Sequence, residues 1–297
     1  MSTAKFPRIG VFAKPTGDNI VDTVKTLLQF LTQDKQHSIV LETKTAAMLD
    51  NIDNASVVNR KILGAHCDLL IVVGGDGTIL KAGRAIVDYQ VPIIGINRGT
   101  LGFMTDISPD QIHNHLGQIL AGQYDLEERC VLHVDIIRNG KKVFANKAIN
   151  DVVLYNADRA RLIEFTIFID EQFVMHQRSD GIITATPTGS TAYALSAGGP
   201  ILDPSLQAFT LVSLNPHTLT SRPIVIKDSS IIRLVLPNKQ NLTHKIACDG
   251  QRHITLTAND EICIKKHSNS FKIMHPLDHN HFALLRNKLG WGTHVGV

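Results

Sequence analysis

The repeat distance of the apolar residues changes partway along the chain, and this change limits the possible folds more than any other feature. In the first part, short apolar runs at 8–13, 39–41, 69–73 and 92–96 alternate with segments in which apolar residues recur at helical spacing. Strands that are apolar throughout and alternate with helices are typical of a parallel sheet covered on both faces. Residues 1–123 are therefore predicted to form an α/β domain with a Rossmann-like parallel sheet.

The later part of the chain has the pattern of short antiparallel strands. Asn139-Gly140 separates two strand-like runs, and this residue pair is favoured in the left-handed positions of a type I′ turn. A second hairpin is predicted around Asp170-Glu171, and residues 124–275 are predicted to form a β-rich, mostly antiparallel domain. Two more helices are predicted, one capped at Ser108-Pro109 and a short one in 276–297 that packs back on the first domain.

Length and composition describe an ordinary globular protein of about two domains. No apolar stretch is long enough to cross a bilayer and no secretory signal is visible, so a cytoplasmic location without membrane contact is expected. The net charge of +3 is too small and too dispersed to indicate nucleic-acid binding. The four cysteines stand singly, which argues against a zinc site or a disulfide framework. Surface or capping roles are predicted for the two closest histidine pairs, His113 with His115 and His279 with His281.

A glycine-rich turn, Gly74-Gly75-Asp76-Gly77-Thr78, directly follows the apolar run 69–73. Glycines allow a buried strand to turn sharply and allow the backbone to approach the phosphates of a ligand. Asp76 would repel phosphate in such a turn, unless it receives a proton, binds a sugar hydroxyl or holds a metal ion. The alternative is that these residues form a tight turn between a strand and a helix and bind nothing.

Four further polar segments also lie outside the apolar periods: Asn97–Phe103, Asn150-Asp151, Ser179-Asp180-Gly181 and Thr186–Tyr193. The first follows the strand at 92–96, so it is predicted to stand beside the glycine-rich turn at one sheet edge. An amide with a carboxylate can hold ribose hydroxyls or the amino edge of a base, and a hydroxyl-rich loop that opens into a helix can bind phosphate. Each segment alone could equally be a cap or a turn.

These motifs, in this order and at these separations, resemble those of bacterial NAD kinases. The glycine-aspartate turn is shared with phosphofructokinases and lipid kinases, whereas Asn150-Asp151 and Thr186–Tyr193 make the resemblance specific. The resemblance implies transfer of the γ-phosphoryl group of ATP to the 2′-hydroxyl of the adenosine ribose of NAD, giving NADP and ADP. It also implies a divalent metal, Mg²⁺, carried by the nucleotide phosphates without protein ligands, and a homo-oligomer, a dimer or a tetramer.

By the same resemblance, Asp76 would contact the 2′-hydroxyl and act as its general base or orient it. Asn150 and Asp151 would hold the adenosine of NAD, and Asp180 would face the nicotinamide ribose. The other residues that the resemblance assigns to nucleotide binding are Gly74, Gly75, Gly77, Thr78, Asn97, Phe103, Arg161, Arg178, Thr188, Thr191, Ala192, Tyr193, Ser196 and Gln251.

Two other functions are compatible with parts of the pattern. A lipid or sugar-phosphate kinase of the same superfamily would need an apolar channel or additional basic residues in place of Asn150-Asp151 and Tyr193. A dinucleotide sensor without catalysis would gain little from a carboxylate beside phosphates, so Asp76 is the residue that separates an enzyme from a sensor.

Overall fold

The computed structural model describes residues 5–16, 18–33, 36–50, 54–97, 102–156, 162–237 and 244–291. The chain divides into two compact units. The first unit comprises Met1–Glu128 with Phe271–Val297, and the second comprises Arg129–Ser270.

The elements of the described segments follow one another along the chain. The strands are β1 (Arg8–Ala13), β2 (Ser38–Glu42), β3 (Ala55–Val58), β4 (Leu69–Val73), β5 (Ile93–Ile96), β6 (Asp125–Arg129), β7 (Leu132–Arg138), β8 (Lys141–Ala148), β9 (Asp151–Asn156), β10 (Ile163–Ile169), β11 (Gln172–Ser179), β12 (Gly181–Ala185), β13 (Ala208–Leu214), β14 (Ile224–Lys227), β15 (Ile232–Val235), β16 (His244–Cys248), β17 (Arg252–Thr255), β18 (Glu261–Lys266) and β19 (Phe271–His275). The α-helices are α1 (Asp18–Gln33), α2 (Thr43–Ala46), α3 (Asp76–Ile86), α4 (Gly117–Leu120), α5 (Tyr193–Ser196) and α6 (His281–Leu289).

The first unit contains a seven-stranded sheet in the order β3-β2-β1-β4-β5-β19-β6. The pairs from β3 through β5 are parallel, and β19 also runs parallel to β5. All five residues of β4 are buried, and α1 packs Val24, Leu27 and Leu31 into the same core as β1 and β4. The predicted α/β fold is confirmed, and β3 is an edge strand that the apolar pattern missed.

The two compact units divide at 128/129 and 270/271, whereas the sequence analysis placed its domain boundaries at 123/124 and 275/276. β6 and β19 belong to the sheet of the first unit, although both fall inside the predicted second domain. A strand's own pattern does not reveal its partner, because β19 pairs with β5 through Ile273 and Ile93, which are distant in sequence.

The predicted helix after Ser108 is irregular. A 3₁₀ turn at Pro109–Gln111 leads into a π-helical turn at Ile112–Leu116 and then into α4. The Ser108 hydroxyl donates to Gln111 Oε1 at 3.0 Å and does not cap the helix. The predicted side-chain cap at Ser108 is therefore wrong. The predicted apolar period is right, because Ile112, Leu116 and Ile119 are fully buried.

The second unit consists of two antiparallel six-stranded sheets, β11-β10-β15-β18-β7-β8 and β14-β13-β12-β9-β16-β17. Both predicted hairpins are confirmed: Asn139 and Gly140 have φ of 51° and 72°, and Asp170 and Glu171 have φ of 49° and 63°. Side chains of alternate residues face the core that the sheets share, such as Val152 and Leu154 on β9. The intervening residues of β9 face the opposite side of its sheet.

Within the described segments, no helix has the length and apolar character needed to span a bilayer.

Candidate active site

The glycine-rich turn joins β4 to α3 in the first unit, and its glycines have different roles. Gly74 has φ of +150°, and a Cβ added there would lie 2.6 Å from Thr78 Oγ1, so only glycine fits. A Cβ on Gly75 or Gly77 would meet nothing within 4 Å. The backbone at Gly75 and Gly77 therefore borders open space at the carboxyl end of a parallel strand, where α/β sheets bind ligands.

Asp76 is the first residue of α3, and the neighbouring loop holds its carboxylate. Oδ2 accepts a hydrogen bond from Phe103 N at 2.9 Å, and Oδ1 accepts one from Met104 N at 3.1 Å. A Cβ on Gly102 would lie 2.0 Å from Asp76 Oδ1, so the close approach of this loop requires a glycine. The amino end of α3 also favours an anion, and each carboxylate oxygen keeps a second lone pair for a ligand hydroxyl.

The predicted proximity of the two glycine-containing loops is thus confirmed for Gly102 and Phe103. Residues 98–101 of the second loop lie outside the described residues. Asn97, at the start of this loop, donates its backbone N–H to Ile107 O at 2.9 Å. Its role in nucleotide binding stays a prediction.

The second unit contains a cavity of about 490 Å³ on the face of the β9 sheet that points away from the shared core. This volume lies within the range of small-molecule sites. Tyr193 is 49% exposed at its border, and Tyr155 Oη and His253 Nδ1 are hydrogen-bonded at 2.8 Å. The residues that line it are Asn150, Asp151, Val153, Tyr155, Ala192, Tyr193, Ala247, Asp249, Gly250 and His253. The cavity brings together four of the predicted nucleotide-binding residues: Asn150, Asp151, Ala192 and Tyr193.

Asp249 fixes the backbone at the start of β9, and the sequence interpretation missed this residue. Its carboxylate accepts three backbone hydrogen bonds, from Ile149 N at 3.1 Å, Asn150 N at 2.7 Å and Asp151 N at 3.2 Å. Asp249 N donates in turn to Asp151 O at 3.0 Å. The available signal was the Asp249-Gly250 pair after an apolar strand, which is typical of a hairpin turn. The predicted Gln251 lies in the same turn.

The carboxyl group of Asp151 has a raised pKa. Asp151 is 4% exposed, and its burial raises the pKa of the carboxyl group. The negative charge of Asp249 raises this pKa further, to about 7. Near neutral pH the group therefore exists in both protonation states and can donate or accept a hydrogen bond toward a ligand.

This raised pKa predicts a pH dependence of stability. The native state holds the Asp151 proton up to about pH 7, whereas the unfolded chain releases it near pH 4. Between these values the native state binds more protons, so the free energy of unfolding falls as the pH rises through this window. We expect Asp151→Asn to remove this fall, as measured by denaturant unfolding at about pH 5 and about pH 8.

The exposed acid Asp22 in α1 offers a matched control, because Asp22→Asn should leave the pH dependence as it is in the original protein. Equal pH dependence in Asp151→Asn and in the original protein would contradict the assignment.

The hydroxyl-rich loop at Thr186–Tyr193 directs several hydroxyls into the protein. Thr186 Oγ1 donates to Ile149 O at 2.6 Å, and Ser190 Oγ donates to Pro187 O at 2.6 Å. A Cβ on Gly189 would lie 2.0 Å from Asn150 O, so this loop packs directly against the Asn150 backbone. Thr186 and Ser190 are fully buried, so their hydroxyls stabilise the loop itself, and phosphate binding by this loop stays a prediction.

Thr188 and Thr191 are hydrogen-bonded to each other in this loop, through Thr191 Oγ1 and Thr188 O at 3.2 Å. Ser196 is exposed at the end of α5, which has only four residues. Nucleotide contacts by these three residues stay predictions.

Two predicted residues lie away from the Asn150-Asp151 cavity. Arg178 is on β11, in the other sheet of the unit, and lines a separate depression with Glu164 and His217. Asp180 directly precedes β12, at the end opposite to Ala185, which pairs with Asp151, and its Oδ2 accepts from an asparagine amide at 2.8 Å. Arg178 is separated from this cavity because β11 and β12, which are consecutive in sequence, belong to different sheets. Nucleotide contacts by Arg178 and Asp180 stay predictions. Arg161 lies outside the described residues.

A strand–glycine–helix turn with one fixed carboxylate, and a mostly apolar cavity of nucleotide size with a few amide and carboxyl groups, are the features of a nucleotide-binding phosphotransferase. Models of the ATP-NAD kinase N-terminal and C-terminal domains match residues 9–124 and 149–276, and the NAD kinase of Azotobacter vinelandii is 44% identical over 98% of both chains. The chain belongs to the NAD kinase family and is an ATP-dependent kinase of NAD.

Other comparisons agree. The NAD kinase of Pseudomonas fluorescens strain SBW25 is 43% identical over 98% of both chains. Yeast NADH kinase complexed with NADH has the same fold, with a TM-score of 0.87 at 23% identity over 98% of this chain and 89% of its own. An NAD kinase from Archaeoglobus fulgidus in complex with ATP has a TM-score of 0.70 at 24% identity, over 95% of this chain and 98% of its own. The predicted family, fold class and enzyme class are confirmed, and the lipid kinase and sensor interpretations are set aside.

Proposed function

We propose that Asp76 accepts the proton of the 2′-hydroxyl of the adenosine ribose of NAD while ATP donates its γ-phosphoryl group to that oxygen. The observation that carries this proposal is the fixed Asp76 carboxylate, held by Phe103 N and Met104 N with lone pairs remaining for a hydroxyl. A ribose hydroxyl is a poor nucleophile, and phosphoryl transfer depends mainly on positioning and charge neutralisation. One oriented carboxylate is therefore sufficient as a base.

The adenosine of NAD would occupy the cavity in the second unit. Asn150 and Asp151 supply amide and carboxyl groups at one end, and the exposed ring of Tyr193 offers an apolar face for a base. The amide of Asn150 and the carboxyl groups of Asp151 and Asp249 can form hydrogen bonds with the hydroxyl and amino groups of adenosine, whereas an acyl chain offers them no partner.

Mg²⁺ fits the glycine-rich turn as an ion carried by the substrate. The described part of the turn contains one carboxylate, that of Asp76. This carboxylate accepts hydrogen bonds from two backbone N–H groups. Mg²⁺ keeps several waters and binds substrate phosphates, so it needs no cage of protein carboxylates. When bound, Mg²⁺ neutralises the negative charge of the triphosphate, and the open backbone at Gly75 and Gly77 leaves room for these phosphates.

We further propose a cytoplasmic homo-oligomer, either a dimer or a tetramer. In support, the second unit exposes large apolar side chains, among them Phe173 at 56% and Leu219 at 93%. Cys67 is buried and has a free thiol, as is usual for proteins of a reducing compartment. The mass in solution, measured by light scattering, tests the oligomer.

The direct test of the function is incubation of the purified protein with NAD, ATP and Mg²⁺. Product is measured with a dehydrogenase that accepts NADP and rejects NAD, which also reports the position of the new phosphate. We expect NADP to accumulate in proportion to enzyme and only when ATP is present. No NADP above a protein-free control would refute the proposed function.

A pair of glycine variants tests the phosphate contacts of the turn. Gly75→Ala is unstrained, because Gly75 has φ of −83° and its Cβ would point into open space. We expect it to keep the thermal stability and to raise the KM for ATP at least about tenfold, because the added methyl group displaces the phosphates. Gly74→Ala, at φ of +150°, should instead lower the free energy of unfolding by more than about 1 kcal/mol. An unchanged KM for ATP in Gly75→Ala would exclude phosphate binding at this position.

A further inference from the structure

A cluster of titratable side chains that the proposed reaction does not use lies in the first unit. His279 Nδ1 is 3.1 Å from Asp106 Oδ1, and His275 Nδ1 is hydrogen-bonded to the other oxygen of the same carboxylate. His275 Nε2 is 2.9 Å from Glu127 Oε2. His275 is 3% exposed and the Asp106 side chain 11%. The predicted surface or capping role of His279 is therefore wrong, because the ring is largely buried against a carboxylate.

The fold brings these residues together from two neighbouring strands and from the segments that follow β5 and β19. Asp106 lies in the segment after β5, Glu127 lies on β6, and His275 ends β19, which stands between them in the sheet. His279 precedes α6 and stacks on His275, with ring centroids 3.9 Å apart and an interplanar angle of 30°. The two Nδ1 atoms consequently converge on one carboxylate.

His275 has a carboxylate oxygen at each of its two ring nitrogens. A neutral imidazole carries a single N–H, yet both ring nitrogens of His275 face carboxylate oxygens. One of these two contacts therefore requires a further proton, on the ring or on the facing carboxyl group, or a metal ion at the nitrogen.

We propose that this cluster is a binding site for a divalent cation of the zinc class, with Asp106, His275 and His279 as its ligands. The candidate ligand atoms all lie within 4.8 Å of one another, so small side-chain adjustments bring each to the distance of about 2.0–2.2 Å that zinc requires. His275 then binds the ion through Nδ1 and donates its Nε2–H to Glu127. This arrangement is the carboxylate–histidine–metal triad that orients metal-bound histidines in proteins.

The chemistry of the donor set selects the cation. Two imidazole nitrogens with one carboxylate suit Zn²⁺, whereas Mg²⁺ and Ca²⁺ prefer oxygen ligands throughout. This site is thus distinct in chemistry from the phosphate-bound Mg²⁺ of the reaction. Asp106 follows Phe103 and Met104, whose N–H groups hold Asp76, so the ion would tie that loop to the end of β19.

The test measures bound metal in the full-length chain, purified without a polyhistidine tag. The protein is stripped with a chelator, dialysed against Zn²⁺ in the presence of excess Mg²⁺, and analysed by elemental mass spectrometry. We expect one tightly bound zinc per chain in the original protein, and its loss in His279→Ala. His113→Ala is the matched control, because His113 is an exposed histidine of the same unit and should leave the zinc content unchanged. Glu127→Gln should weaken zinc binding about 10–100-fold while keeping the three ligands.

Substitution with Co²⁺ reports the ligand geometry independently of activity. We expect the visible absorption of four- or five-coordinate Co²⁺ in the original protein and in His113→Ala, and its absence in His279→Ala. Circular dichroism verifies that His279→Ala is folded, and Asp106→Asn replaces it if it is not. No zinc retained by the original protein, or equal zinc in all the variants, would overturn the proposal. Either result would identify the cluster as a buried ion-pair network. Neither result would bear on the proposed function, which the formation of NADP tests separately.

Discussion

Asp76→Ala is expected to lower kcat by about two to four orders of magnitude while NAD still binds. The variant removes the carboxylate that would accept the hydroxyl proton, and it leaves Asn150, Asp151 and Tyr193 in the second unit unchanged. Initial rates of NADP formation give kcat and KM, and calorimetry gives the NAD affinity. The effect should be concentrated in kcat, because a base acts on the transition state more than on the bound substrate.

Asp88→Ala provides the control for this experiment. Asp88 is an exposed carboxylate just beyond α3, so its removal tests whether any loss of negative charge near this helix slows the enzyme. We expect its kcat to equal that of the original protein. A kcat within a factor of about three for Asp76→Ala as well would refute the role of Asp76 as a base.

The positions that the sequence predicted well are those governed by local rules. Apolar runs set β1, β2, β4 and β5, and the residue pairs Asn139-Gly140 and Asp170-Glu171 set two hairpins. The apolar pattern did not predict β3, because β3 is a four-residue edge strand in which Val57 is half exposed, and it therefore has no continuous apolar run. Local pattern thus predicts that an element exists, and it does not predict which sheet the element joins.

The same limit applies to the site. Asp76 could be identified from its own turn, but the reason for Gly102 could not, because that glycine is required by a carboxylate distant in sequence. Asp249 was missed because its three hydrogen bonds reach residues about a hundred positions earlier. The pairing of His275 with Asp106 was missed for the same reason. Residues whose roles depend on long-range contacts are therefore the ones that required the structure.

Asp249→Ala is expected to impair both stability and NAD binding. It leaves the N–H groups of Ile149, Asn150 and Asp151 without their acceptor in a buried environment, and unsatisfied buried donors cost about 1–3 kcal/mol each. We expect the free energy of unfolding to fall by about 3 kcal/mol, since water can reach part of the cavity. The KM for NAD should rise at least about tenfold, because Asn150 and Asp151 lose their fixed positions.

A second buried acid separates these two effects. Asp260 is fully buried, and it accepts hydrogen bonds from Thr257 N and from Arg138. Arg138 is on β7, in the sheet of this unit that does not contain β9 and the cavity. Asp260→Ala should therefore lower stability to a similar extent and leave the KM for NAD unchanged. In Asp249→Ala the pKa of Asp151 should also fall, because the neighbouring negative charge is gone while burial remains. The pH-dependent loss of stability would then still begin near pH 4, where the unfolded chain releases the proton, and it would end at a lower pH than in the original protein. If Asp249→Ala and Asp260→Ala had the same KM for NAD, Asp249 would be a structural residue without a part in positioning Asn150 and Asp151.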